Sequence, residues 1–137
     1  MSIWQKEVVL PVFPRGYHLI DHILQEHLVD VPKFGLLHLF LKHSSAALSI
    51  NENADPSVRF DLERSIDLLV PENQKHFTHT YEGSDDMPAH IKCSLLGASL
   101  QIPITNGAPN LGTWQGIYLC EFRNNAKARR IVLSIVY

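Results

Sequence analysis

Apolar and polar positions alternate at the start of the chain. Over residues 4–13, Val8, Leu10 and Val12 fall at every second place before Pro14-Arg15-Gly16 breaks the run, which predicts a first strand. Over residues 17–29 the apolar set Leu19, Ile20, Ile23, Leu24 and Leu28 changes to three-and-four spacing, which predicts an amphipathic helix ending before Pro32. Residues 35–42 are almost continuously apolar through Leu36, Leu37, Leu39, Phe40 and Leu41, which predicts a central strand with both faces covered. The next strand, 46–50, puts Ala46, Leu48 and Ile50 on one side, and the same parity carries Glu52.

Asp55-Pro56 is a helix start, an acidic cap followed by proline at the first position, and Val58, Leu62, Ile66 and Leu69 carry that helix to Pro71. Residues 72–86 show no period and predict a long loop, the kind of segment that often carries function. Asp86 then caps a shorter helix with Pro88 and His90 in its first turn and Gly97 past its end. Strands over 99–105, 114–123 and 130–137 complete the order β-α-β-β-α-loop-α-β-β-β. This is a single α+β domain of mostly antiparallel sheets, with two main helices and one short one.

Composition narrows the function classes. With 137 residues, 45% hydrophobic and 19% charged, the chain has the size and balance of one globular domain. A formal charge of −2 argues against a general nucleic-acid binder; Arg123, Lys127, Arg129 and Arg130 form the one basic cluster, read as a solvated turn that also suits a phosphate. No segment has the pattern of a signal peptide or a membrane span. Cys93 and Cys120 stand alone, as reduced thiols of a cytoplasmic protein do.

The chemistry concentrates in histidines that interrupt apolar stretches: His43 in His43-Ser44-Ser45-Ala46, His79 in His79-Thr80-Tyr81-Glu82-Gly83, and His90 in Asp85-Asp86-Met87-Pro88-Ala89-His90. Imidazoles near carboxylates suit a transition-metal site, with zinc first and nickel, manganese, iron or magnesium as alternatives. Asp86 is expected to orient a ligating ring, and Glu52 to act as a base or as an outer partner. Ser45, Asn53, Trp114, Gln115 and Arg129 are candidate substrate contacts, with Lys92 and Arg130 as further helpers. His18 and His22, at i and i+4, have the spacing of a metal pair but read as a solvated helix face. His27, His38 and His76 have no supporting constellation. Phosphate loops, Gly-x-Ser-x-Gly elbows and Cys-His pairs are absent from the sequence.

Four strings, His43-Ser44-Ser45-Ala46, Asn51-Glu52-Asn53, Tyr81-Glu82-Gly83-Ser84-Asp85-Asp86-Met87-Pro88-Ala89-His90 and Gly112-Thr113-Trp114-Gln115-Gly116, occur in an order that resembles the YjbQ-like family, also labelled secondary thiamine-phosphate synthase. The resemblance spans nearly the whole chain; Ser44 stands where the family often has threonine. It implies a compact α+β fold, a homotrimer, a histidine-based metal site pointing to His43, His79 and His90, and at most weak thiamine-phosphate synthase activity.

The resulting expectation is a cytoplasmic, trimeric, metal-dependent enzyme for a small and phosphorylated substrate, with neither nucleic acid nor membrane as partner. The alternatives are a metal-assisted hydrolase of a small phosphorylated or acyl compound, and a non-catalytic trimeric module that binds a metal or an anion.

Overall fold

The computed structural model describes residues 1–137. Two antiparallel sheets and three helices stack in layers. The larger sheet has the order β1 (Ile3–Val9), β8 (Arg130–Val136), β3 (Phe34–Leu41), β5 (Ser99–Thr105), β6 (Ala108–Pro109), and the smaller one β2 (Gly16–Leu19), β7 (Gln115–Glu121), β4 (Ala46–Glu52). Period-two alternation drives Leu37, Leu39 and Leu41 of β3 and Ile131, Leu133 and Ile135 of β8 toward the smaller sheet. There they meet Ala46, Leu48, Ile117 and Leu119, all at most 2% exposed. Burying such side chains contributes roughly 1.5–3 kcal/mol each, so this seam holds the two sheets together.

The opposite face of the smaller sheet is covered as well. Ala47, Tyr118 and Cys120 point away from the seam and pack with Tyr17, Ala89 and Phe122, against Leu62 and Ile66 of α2 (Pro56–Leu69) and Leu96 of α3 (Asp86–Leu96). As a result β7 is buried at six consecutive positions, Gly116 to Glu121.

Three expectations need correction. The helix over 17–29 is shorter: residues 16–19 pair with β7 in register Tyr17↔Cys120 and Leu19↔Tyr118, leaving only α1 (Asp21–His27). An open β7 edge supplies a full backbone ladder to those four residues, which overrides their helical spacing. It also separates His18 in a strand from His22 in a helix, so the two do not share a helical face. Strand β3 is central but covered on one face only, with Phe34, Leu36 and Phe40 exposed on the other. Finally, the residue before α3 is Asp85, and its side chain makes no cap bond.

Asp55 does cap α2, its Oδ1 accepting from Ser57 N at 2.9 Å with Pro56 in the first turn. No helix is long and apolar enough to cross a membrane.

Candidate metal centre

One helical turn separates Asp86 from His90, which sets both on the same face of α3. His90 opens the second turn rather than lying in the first. The helix is seated by backbone at two points, the turn before β4 and β4 itself: His90 Nδ1 lies 2.8 Å from Ser44 O, and Leu48 N donates to Gly97 O at 3.0 Å. His79 arrives from the irregular segment before α3. That segment is folded back by Ser84 Oγ donating to Glu72 Oε2 and by Arg123 Nη2 donating to Glu82 O. Gly83 makes the turn at φ +108°, where a Cβ would also sit 2.9 Å from Asp85 Oδ1. Only glycine takes that conformation in that space without strain.

These elements bring His79, Asp86 and His90 together, one donor atom from each lying within 4.8 Å of the others. His79 Nε2 is 2.6 Å and His90 Nε2 3.3 Å from the same oxygen, Asp86 Oδ2. The other oxygen, Oδ1, accepts from Arg123 Nη1, while Arg123 Nε holds Asp85 Oδ2 at 2.8 Å. Asp86 is 1% exposed, whereas the His79 and His90 side chains are 48% and 30% exposed, so the cluster has a buried anionic floor and an open mouth.

Burial alone would raise the Asp86 pKa. The His79 hydrogen bond and the charges of Arg123 and His90 outweigh it and hold the carboxyl below its ordinary range. Its place at the start of α3 favours the anion further.

This donor set fits a divalent transition metal. A carbonyl oxygen only accepts, so the Ser44 contact puts the His90 proton on Nδ1 and leaves the Nε2 lone pair directed at the cluster. Arg123 likewise fixes which Asp86 oxygen is free. Two imidazoles and one carboxylate are three donors of the type that zinc, iron and manganese take, with room for further ligands on the exposed side.

His43 does not join this group in the chain. Its Nε2 accepts from Arg130 N at 2.8 Å, so the ring is turned toward β8 and that lone pair is occupied. Burial, reinforced by the charge of Arg129, lowers its pKa and favours the neutral ring. Asp86, expected as an orienting partner, is the third potential donor beside His79 and His90.

The remaining candidates divide between two places. Ser45 and Arg129 lie on the His43 side, where Arg129 makes a two-pronged pair with Glu121, at 2.7 and 2.6 Å, and also donates to Ser45 Oγ at 3.0 Å. Glu52, Asn53, Trp114 and Gln115 gather at the other end of β4, about 20 Å along the strand from Ala46 at ~3.3 Å per residue. There Glu52 Oε2 accepts from Asp55 N, and Asn53 Nδ2 donates to Thr113 O and Gln115 O. Gln115 Oε1 accepts from Gly112 N, and Trp114 is 67% exposed. These contacts shape turns, and β4 keeps them from the His79/Asp86/His90 cluster of the same chain. Lys92 is also occupied: 1% exposed, its Nζ lies 2.5 Å from Asp67 Oδ1.

Sequence reasoning missed Arg123, set aside as part of a solvated turn, and Glu121, which neutralises Arg129. The Asp86/His90 spacing was visible as an i, i+4 pair. The Arg123 contact is long-range and had no local signal.

The family model for UPF0047 protein YjbQ-like matches residues 9–137. The UPF0047 protein YjbQ of Escherichia coli O157:H7 is 47% identical over 134 residues, covering 96% of each chain. A UPF0047 protein of Synechocystis is 47% identical over 103 residues, 75% of this chain and 70% of that one. Among solved structures, a conserved hypothetical protein of Thermus thermophilus superposes with a TM-score of 0.85 at 28% identity, covering 96% of this chain and 99% of the other. A yjbq/upf0047 protein of Clostridium acetobutylicum gives 0.82 at 31% identity, covering 97% and 99%. The α+β sandwich, the ordered motifs and these likenesses converge, and the chain belongs to the YjbQ-like family, UPF0047.

Proposed function

We propose that the chain is a metal-dependent enzyme acting on a small molecule, with the ion held by His79, Asp86 and His90. The observation that carries this reading is the His90 orientation. A ring whose Nδ1–H is bound to Ser44 O presents its other nitrogen, 3.3 Å from Asp86 Oδ2, at an open mouth. Zinc is the first candidate, with manganese, iron and nickel next; magnesium fits less well, because two of the three donors are imidazole nitrogens. Such an ion supplies Lewis acidity toward a carbonyl or phosphoryl oxygen. The protein's own part is to fix three donors on two rigid anchors, keep Asp86 ionised through Arg123, and leave the His79 side accessible.

Metal-assisted hydrolysis of a small phosphorylated or acyl compound is the reaction this donor set favours. Weak formation of thiamine phosphate remains within the proposal as a side reaction. A purely structural ion fits less well, since structural sites are usually closed by four protein ligands and this cluster offers three.

The test is metal-free protein reloaded singly with zinc, manganese, iron, nickel or magnesium. Each form is assayed against phosphomonoesters, carboxylic esters and the two halves of thiamine phosphate. Turnover with an imidazole-preferring ion, lost in His79→Ala and His90→Ala, is the expected result. Inactivity with every ion, or activity unchanged in both variants, contradicts the reading.

The proposal includes a homotrimer in a cytoplasmic setting. In its support, the larger sheet leaves Ile3, Phe34, Leu36, Phe40 and Val136 exposed by 36–65% on its uncovered side, an apolar face of the kind that marks subunit contacts. Light scattering should give three times the chain mass; a monomer mass rejects it.

A further inference from the structure

A second group of functional side chains lies across the 43–45 turn from the metal cluster. A cleft of about 380 Å³ opens there, with His43, Ser45, Arg123, Asn125, Lys127 and Arg129 in its walls and no carboxylate among its lining residues. The hydrogen bonds of those walls leave several donors available. His43 Nε2 accepts from Arg130 N, so in the neutral ring the proton sits on Nδ1. Ser45 Oγ accepts from Arg129 Nη1, which leaves its own hydrogen uncommitted. Of the five N–H groups of Arg129, four are used on Glu121 and Ser45, and one on Nη1 remains. Lys127 is exposed and makes no ion pair, and Asn125 is exposed on the same loop.

Two elements are shared with the metal cluster. Arg123 lines the cleft and also holds Asp86 Oδ1. The 43–45 turn supplies His43 and Ser45 to the cleft and the Ser44 carbonyl to His90.

We propose that this cleft is the subsite for a phosphate group of the substrate, bound by Ser45, His43 and Lys127, with the rest of the molecule directed past Arg123 toward His79, Asp86 and His90. Walls that offer several free donors and no carboxylate around one unpaired cation suit a dianionic tetrahedral oxyanion better than a cationic ligand. The second half of the assignment rests on the metal-dependent reading above; phosphate binding itself does not. The test is built to separate the two.

Inorganic phosphate is titrated into metal-free protein and followed by backbone amide shifts of residues 43–45 and 125–129, with acetate in a parallel titration. The expected result is saturable phosphate binding, weakened about tenfold in Lys127→Ala and in Ser45→Ala, as for a lost hydrogen bond to a charged group. Lys33→Ala, at the far end of β3, leaves it unchanged. His79→Ala, which removes a metal donor and touches neither cleft wall, also leaves it unchanged. Failure to saturate, equal weakening by Lys33→Ala, or loss in His79→Ala with retention in Lys127→Ala overturns the proposal. Acetate binding as tightly as phosphate overturns the assignment to a phosphate group. Phosphate binding that persists while no variant affects metal loading sinks the metal reading and leaves the subsite standing.

Discussion

The two ends of β4 carry similar side chains and use them differently. At the Ala46 end, backbone holds His90, Arg123 holds Asp86 and Asp86 holds His79, so that one donor atom of each lies within 4.8 Å of the others. At the Glu52 end, the Glu52, Asn53 and Gln115 side chains all bond to turn backbone of the same corner. Residue type is thus a poor guide to function; what matters is whether a side chain's polar atoms are committed locally or left directed outward.

The largest contrast is expected in metal binding. Asp86→Ala should weaken the ion, in a chelator-competition titration, by more than the ~10–100-fold typical of an outer partner. Glu52→Gln should leave affinity unchanged, and equal losses would erase the distinction between the two ends.

A buried pair beside the first corner gives the next effect. Glu121 is 1% and Arg129 7% exposed, so Arg129→Met strands a carboxylate and should cost about 3–5 kcal/mol in urea unfolding. Adding Glu121→Gln should recover much of that loss. Arg123→Gln keeps the three donors but frees Asp86 Oδ1; the expected loss is ~10–100-fold in metal affinity. At the opposite end, Asn53→Ala should cost only ~0.5–1.5 kcal/mol of stability per lost hydrogen bond and nothing in metal binding.

The smallest effect is one of pH. Burial, then the Arg129 charge, lowers the His43 pKa in the folded state. Between its ordinary value and that lower one the unfolded chain binds more protons, so this group's contribution to stability falls as pH drops through the window and is full above it. Unfolding free energies of metal-free wild type and His43→Asn, compared from pH 8 to about 5, should converge as the pH falls. A constant difference would show that His43 is not held neutral.

Much of this architecture is legible in the residues. The apolar run over 35–42, the Asp55-Pro56 start and the Gly97 stop each encode an element locally, although that run does not tell which face of β3 is covered. Residues 17–19 mislead because the β7 edge that captures them lies about a hundred positions away. The same limit applies to the site. The motifs single out His79, Asp86 and His90 in the sequence, whereas the gathering of Asp86 rather than His43 with the other two rings depends on where Arg130 N points, a fact of β8 placement. Asp86 looked like a cap because aspartate before a proline-bearing first turn usually is one; Arg123 and two histidines engage it instead.

On the proposed reading the ion binds His79, Asp86 and His90 and leaves His43 free of it. The most direct measurement is metal stoichiometry by anomalous scattering from crystals of wild type, His43→Ala and His79→Ala grown with the same ion. One ion per chain between His79, Asp86 and His90, kept in His43→Ala and gone in His79→Ala, is the predicted outcome. An ion ligated by the His43 ring, or lost in His43→Ala while His79→Ala retains it, contradicts the account.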